Sequence, residues 1–334
     1  MIKLNDILVE GGKLFGGVSE RVSTEEMNEI FKYLKDKLSK YFVQMELSKS
    51  LPTKKDHGDV DILVQVNPGQ EVHGELLKIL KKEIPNDLLE FHEMKQVKSM
   101  LFKYNRKIVQ VDFIIATDKN MFTSVLQYYQ FNDISGIIGI FSKKLHFSYG
   151  QHGFTKTYDD SRNNRHFIYI TNNLMDGLKI LGLSPDKFKE LKTWDDMVDF
   201  MLDSPLMDKR YFAPGVMNQS DRKSTKRPVI NYVVDKIRES TKRTEITDED
   251  YFFKKLFPKK YELVENKKKE IEKKTYVPSK YNGDWIMKTF HLEPGKRVGE
   301  ILKHLSDKFG TELDNTDEEI VKKDAIEFYG GMYK

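Results

Sequence analysis

The stretch "KKDHGDVDILV", residues 54 to 64, sets two carboxylates, Asp59 and Asp61, at the mouth of an apolar run. Val60 to Val66 reads as a buried strand, and residues two apart on a strand leave it on the same face. Asp59 and Asp61 are then held side by side, where like charges raise each other's pKa unless a cation lies between them. A third acid comes from "KIVQVDFII". There Val109, Val111, Phe113 and Ile115 share one face, which leaves Asp112 on the other. If the two strands are neighbours, three carboxylates converge. Such a cluster holds two Mg²⁺ or Mn²⁺ ions about 3.5–4 Å apart, which activate an attacking hydroxyl and neutralise a leaving pyrophosphate. Mg²⁺ suits the acids because it binds through few carboxylates and completes its octahedron with waters and phosphates. Beside them, Gly58 fits a backbone passing close to phosphate. Lys54 and Lys55 either meet triphosphate charge or belong to a solvated loop.

The surrounding elements have to bring these acids together. "STEEMNEIFKYLKDKLSKYF" opens with a capping box, Ser23 and Glu26, and repeats Met27, Ile30, Phe31, Leu34 and Leu38 on one helical face. A short strand near Val43 to Leu47, the Asp59 strand and the helix "GQEVHGELLKILKKEI" follow. "VKSMLFKYNRKIVQVDFIIA" reads as a hairpin turning near Asn105-Arg106. The expected fold class is α+β: a small mixed sheet with helices on one side, followed by a helical C-terminal part. Further helices are expected around 121–147 and 173–203, with a strand at "HFIYIT". The turn-rich "PGVMNQSDRKSTKRP" marks a boundary. Three domains are therefore expected: 1–150 catalytic, 151–215 a mixed α/β extension, and 216–334 helical, basic and nucleic-acid-binding.

Composition narrows the class. The 334 residues are 39% hydrophobic and 32% charged, with no cysteine, which excludes disulfides and thiolate metal sites. No 18-residue apolar run exists, so no membrane partner is expected. "MIKLNDILVEGGKLF" lacks a signal-peptide pattern, and the expected compartment is the cytoplasm, that of the host if the protein is viral. Net charge is +4, yet Arg222 to Lys274 carries 17 Lys or Arg against 10 Asp or Glu, leaving −3 for the remainder. An acidic front and a basic back suggest a polyanionic partner, or a lysine-rich solvated surface. Lys226 and Arg227 in "RKSTKRP" are the candidates for phosphate contact. Tyr128, Tyr129 and Phe131 read as packing residues, with stacking on a base as the alternative.

The pattern "HGDVDILV" followed by "VQVDFI" resembles the nucleotidyltransferase superfamily of DNA polymerase β, poly(A) polymerases and tRNA CCA-adding enzymes. The resemblance implies Asp59, Asp61 and Asp112 as metal-binding catalytic acids. It implies Ser48, in "MELSKSLPTKKDHGD", as the serine on the incoming triphosphate. Leu47 stands where that family has glycine, and Ser50 could take over by a small register shift. Near the other end, "NGDWIMKTFHLEPGKRVGEILKHL" is similar to a helical segment of bacterial CCA-adding enzymes and poly(A) polymerases, matching at Gly283, Met287, Pro294, Gly295, Gly299 and Leu302. Lys296 and Arg297 start its second helix, as RNA-backbone contacts or in plain helix packing. "VEGGKLFGG" with "SERVSTEEM" is similar to the start of bacteriophage nucleotidyltransferases. The "RRDFT" and "EDxxR" sequences of CCA-adding enzymes are missing.

The expectation is thus a nucleotidyltransferase that adds a nucleoside monophosphate from a triphosphate to the 3′-hydroxyl of an RNA, with DNA as the second choice of acceptor. Two readings stay open beside it: the same fold modifying a protein or small molecule, and a non-catalytic nucleic-acid-binding module. Preferred base, template dependence and oligomeric state are not legible.

Overall fold

Ser23 starts the first helix as its neighbours dictate. Its hydroxyl accepts from the Glu26 N–H at 3.1 Å, and the Glu26 carboxylate accepts from the Ser23 N–H at 2.7 Å, closing the capping box. A computed structural model describes residues 14–69, 74–94, 96–217, 227–275 and 280–331. Lys226, the stretch 9–13 of "VEGGKLFGG" and the middle of the expected boundary loop lie outside them.

The elements in chain order are β1 (Val22–Ser23), α1 (Thr24–Leu38), β2 (Gln44–Leu47), β3 (Asp56–His57), β4 (Val60–Gln65), α2 (Glu75–Glu83), β5 (Leu88–Glu93), β6 (Val97–Tyr104) and β7 (Lys107–Ala116). β1 pairs with β3, and the remaining five strands form one sheet in the order β2-β4-β7-β6-β5. Only β4 and β7 run parallel, and they do so with Asp61 beside Asp112. The mixed sheet, with helices and then a helical C-terminal part, is the architecture expected. β5 is an edge strand that its polar sequence, "LLEFHE", conceals.

Alternation decides which side chains go where. Val60, Ile62 and Val64 of β4 and Val109, Val111, Phe113 and Ile115 of β7 turn toward α1 and α2, burying Ile30, Leu34 and Leu80. Truncating one such aliphatic to Ala would cost about 2–5 kcal/mol. The other face carries Asp61 and Asp112, then Leu63 and Ile114 in the next row. That second row is covered by Phe122 and Val125 of α3 (Lys119–Tyr129). α3 therefore seals this face beyond the acids, and its last residue, Tyr129, reaches the cleft that they line.

The helix expected over 121–147 is two helices, α3 and α4 (Asn132–Lys144). Phe131 breaks it with φ 55°, a left-handed conformation costly for a non-glycine residue. It is held there by its N–H, which donates to the Lys49 carbonyl at 2.9 Å, and by its ring against Phe188. β8 (Phe147–Gly150), β9 (Gly153–Asp159) and β10 (Arg165–Thr171) form a second sheet. The span 173–203 divides into α5 (Leu174–Ile180), α6 (Pro185–Lys189) and α7 (Trp194–Leu202), with a tight turn at Gly182.

The chain divides into two compact units. One compact unit comprises Met1–Thr155 with Ile170–Leu256, the other Lys156–Tyr169 with Phe257–Lys334. Residues after 216 stay with the first unit because α8 (Pro228–Glu239) buries Val229, Ile230, Val233, Val234 and Ile237. Ile230 comes so close to Gly136 of α4 that a β-carbon there would lie 3.1 Å from its Cδ1. α9 (Tyr251–Leu256) ends that unit. The basic run 222–274 is thus shared between the two units.

The second unit holds α10 (Pro258–Thr275), α11 (Gly283–Phe290), α12 (Lys296–Phe309) and α13 (Glu318–Gly331). Its core is Tyr281, Ile286, Val298, Ile301, Leu305 and Val321. The start of α13 is capped by Asp317, which accepts from the Glu319 N–H at 2.9 Å. The Thr316 hydroxyl donates to the Glu312 carbonyl. Among the described residues, no helix is long and apolar enough to cross a membrane.

Candidate active site

Strand register builds the site. Ser48 follows β2, and its N–H donates to the Asp61 carbonyl at 2.9 Å. Asp61 sits beside Asp112 on β7, and Asp112 sits opposite Ser99 on β6. Ser48, Asp61, Asp112 and Ser99 therefore form one row across the sheet, with Asp59 two residues before Asp61. The carboxylates of Asp59, Asp61 and Asp112 each offer an oxygen, and these oxygens lie within 4.8 Å of one another. The three acids expected to converge do converge.

Burial and mutual repulsion set their electrostatics. Burial, then the neighbouring Asp59 and Asp112 charges, push the Asp61 carboxyl well above the ordinary carboxylate range, against the pull of Lys54 and Arg227. Burial likewise raises Asp112, to about 6. Ser99 draws it back, Asp59 adds to the rise, and Gln110 opposes it. The Gln110 amide donates to both Asp112 oxygens, at 3.0 and 3.1 Å, and so fixes the carboxylate plane. Three half-buried carboxylates, two of them with raised pKa values, are a hard-oxygen donor set that a divalent cation fits.

The acids open into a cleft of about 890 Å³ lined also by Ser48, Ser50, Lys54, Lys55, Gly58 and Arg227. Ser48 and Ser50 have partners already. The Ser48 hydroxyl donates to the Tyr129 carbonyl at 3.0 Å, and Ser50 lies 3.5 Å from His57 Nδ1. Thr24 Oγ1 donates to the Lys54 carbonyl and contacts His57 Nε2 at 3.0 Å. Its hydrogen being committed, Nε2 carries the imidazole proton and Nδ1 is the acceptor. Burial first, and Lys54 next, hold His57 down to about 4, so the ring is neutral at pH 7.

Leu47 does not obstruct the cleft. It pairs with Ile62 on the helix-covered side and packs against that core. Arg227, expected to contact nucleic-acid phosphate, lines this cleft, 3.8 Å from Asp133. Lys296 and Arg297 are exposed at the start of α12 in the second unit, with Lys296 3.4 Å from Glu300. Gly299 has open space where a β-carbon would stand, so it serves no close helix contact.

Gln110, Asp133 and Trp194 line or support the site without having been singled out for it, while Tyr129 and Phe131, read as packing or base-stacking residues, both line the cleft. Gln110 had a signal: a second polar residue two before Asp112 on an otherwise apolar strand. Asp133 and Trp194 had none, since they arrive from distant helices.

No protein-family model and no curated protein matches the chain. Among solved structures it is similar to polymerase β of Leishmania infantum in a ternary P/T complex, at 17% identity and TM-score 0.35, over 42% of this chain and 59% of that one. The ternary gap complex of the same polymerase gives 16% identity and TM-score 0.36, over 42% and 52%. The chain thus spans little more than half the length of these polymerases.

Proposed function

We propose that the protein is a metal-dependent nucleotidyltransferase that joins a nucleoside monophosphate, from a nucleoside triphosphate, to the 3′-hydroxyl of an RNA. The observation that carries the proposal is the row Ser48, Asp61 and Asp112, completed by Asp59, at the open end of a cleft large enough for a nucleotide. Asp59, Asp61 and Asp112 would hold two Mg²⁺ or Mn²⁺ ions. Once bound, such ions supply Lewis-acid activation of the hydroxyl and charge neutralisation of the pyrophosphate.

The chain's own groups do the rest. Asp112, fixed by Gln110, helps take the proton of the attacking hydroxyl as the new O–Pα bond forms and the bond to pyrophosphate breaks. Ser48, by rotating its hydroxyl away from the Tyr129 carbonyl, donates to the triphosphate. Lys54, Lys55 and Arg227 line the same cleft and offset phosphate charge. Gly58, buried at the strand mouth, admits phosphate close to the backbone.

RNA is the acceptor we favour, on the sequence resemblance of segment 283–302 to a helical segment of RNA-modifying enzymes and on the exposure of Lys296 and Arg297. One observation favours a second reading, transfer to a protein or small molecule: the basic run is divided between two units and Arg227 belongs to the cleft. The test is incubation with each labelled triphosphate and RNA, primed DNA, total protein or no acceptor, in Mg²⁺ and in chelator. Label on RNA alone, in Mg²⁺ alone, is the expected result. Label on protein would move the second reading to first place, and no label in any arm would refute the enzyme.

A further inference from the structure

The cleft that the acids line has a further set of lining residues, a wall that phosphate chemistry leaves unused. Trp194, the first residue of α7, lines it and remains 38% exposed, unusual for so large an apolar ring. Met197, Pro228 and Val229 line the cleft with it. The indole packs against Tyr232, with ring centroids 5.5 Å apart at 53°. Tyr232 is itself fixed, its hydroxyl donating to Asp195 at 2.5 Å. Among the described residues the Trp194 indole N–H has no hydrogen-bond partner. A rigid aromatic face and one unspent donor thus look into the same space as the carboxylates.

The wall is tied to the side of the cleft that carries Ser48 and Lys54. Thr53, in the loop joining those residues to β3, donates from Oγ1 to the Lys192 carbonyl at 2.7 Å, two residues before Trp194. We infer that Trp194 is the stacking platform for the base of the incoming nucleoside triphosphate. This rests on the nucleotidyltransferase reading. The triphosphate lies toward Lys54 and Arg227, and the base lies on the indole. Apart from the indole N–H, the wall residues named here are apolar, and the Thr193 hydroxyl is engaged in capping α7. A π-face without base-reading groups accepts every base and favours the larger purines.

The chain has two tryptophans, so Trp285→Phe leaves Trp194 as the sole indole reporter. This variant is titrated, without acceptor, with ATP, GTP, CTP, UTP and inorganic tripolyphosphate in Mg²⁺. Separately, Trp194→Ala and Trp194→Phe are titrated by calorimetry. All four nucleotides should quench Trp194 emission and tripolyphosphate should not. Trp194→Ala should weaken nucleotide binding about 5- to 150-fold, as loss of one stacked base does. Trp194→Phe should recover most of that loss, and tripolyphosphate affinity should hold in both, which also shows that the cleft is folded. Nucleotides that bind without quenching, and equally well to Trp194→Ala, would overturn the platform while leaving the enzyme standing. Failure of the unsubstituted protein to bind any nucleotide would overturn both.

Discussion

Replacing Asp112 by Asn separates the acids' charge from their shape. In the metal-free protein the Asp112 carboxyl is raised from 3.8 to about 6, so ionising it works against the fold. A raised folded-state pKa means stability that is full below 3.8 and is lost as pH rises through about 6. The gap of roughly 2 pKa units amounts to about 3 kcal/mol at pH 8, at 1.36 kcal/mol per unit. Asn keeps the volume and one acceptor for Gln110, and forfeits about 1 kcal/mol of hydrogen bonding. The net gain is about 2 kcal/mol, or roughly 4–8 °C in Tm for a unit of this size. At pH 4 the folded carboxyl is neutral and the unfolded one about half ionised, so the charge advantage falls to about 0.5 kcal/mol. The assay is a pair of thermal melts in chelator at pH 8 and pH 4, repeated at pH 8 with Mg²⁺. Wild type should then gain stability by mass action and the variant much less, so their order narrows or inverts. An Asn variant less stable than wild type at pH 8 in chelator would refute the reasoning, because the acids would then have a counter-charge already.

Other expectations follow from named contacts. His57 is depressed from 6.5 to about 4, so its share of stability is full above pH 6.5 and is lost as pH falls through 4. His57→Asn should flatten that acid loss by up to about 3 kcal/mol in urea midpoints, and an unchanged pH dependence would contradict the buried neutral ring. Ser48→Ala should weaken triphosphate binding and spare acceptor binding in calorimetric titrations; equal loss of both would point to misfolding. Leu47→Gly should cost about 2–4 kcal/mol without improving triphosphate affinity, since Leu47 packs in the core on the far side of the sheet. Reversing Lys296 and Arg297 to Glu should flatten the salt dependence of RNA binding by about 0.7 in log–log slope per lost phosphate contact, and an unchanged slope would remove those residues from the interface.

The site was legible where its residues lie on adjacent strands. Alternation alone put Val109, Val111, Phe113 and Ile115 in the core and Asp112 outside it, and the register then set Asp112 beside Asp61. The capping box at Ser23 and the turn at Asn105-Arg106 were readable because both are local. What arrived from far along the chain was not. Arg227 reads as a basic loop residue until α8 packs against Gly136 and carries it to the cleft. Trp194 falls inside the span 173–203 expected to be helical, and nothing nearby says which wall it forms. The break at Phe131 was hidden for a related reason: its left-handed backbone depends on the Lys49 carbonyl and on Phe188, neither of them a neighbour in sequence. β5 escaped because an edge strand needs no apolar alternation.

The central claim is that Asp59, Asp61 and Asp112 form a metal-dependent centre for nucleotidyl transfer. Its most direct measurement is pyrophosphate release from a nucleoside triphosphate in the presence of RNA, with wild type and Asp61→Asn, in Mg²⁺ and in chelator. The account predicts release by wild type in Mg²⁺ only, and a loss of at least about 100-fold in Asp61→Asn, whose metal-free Tm is no lower than that of wild type. Equal release by wild type and Asp61→Asn, or release that persists in chelator, would contradict it.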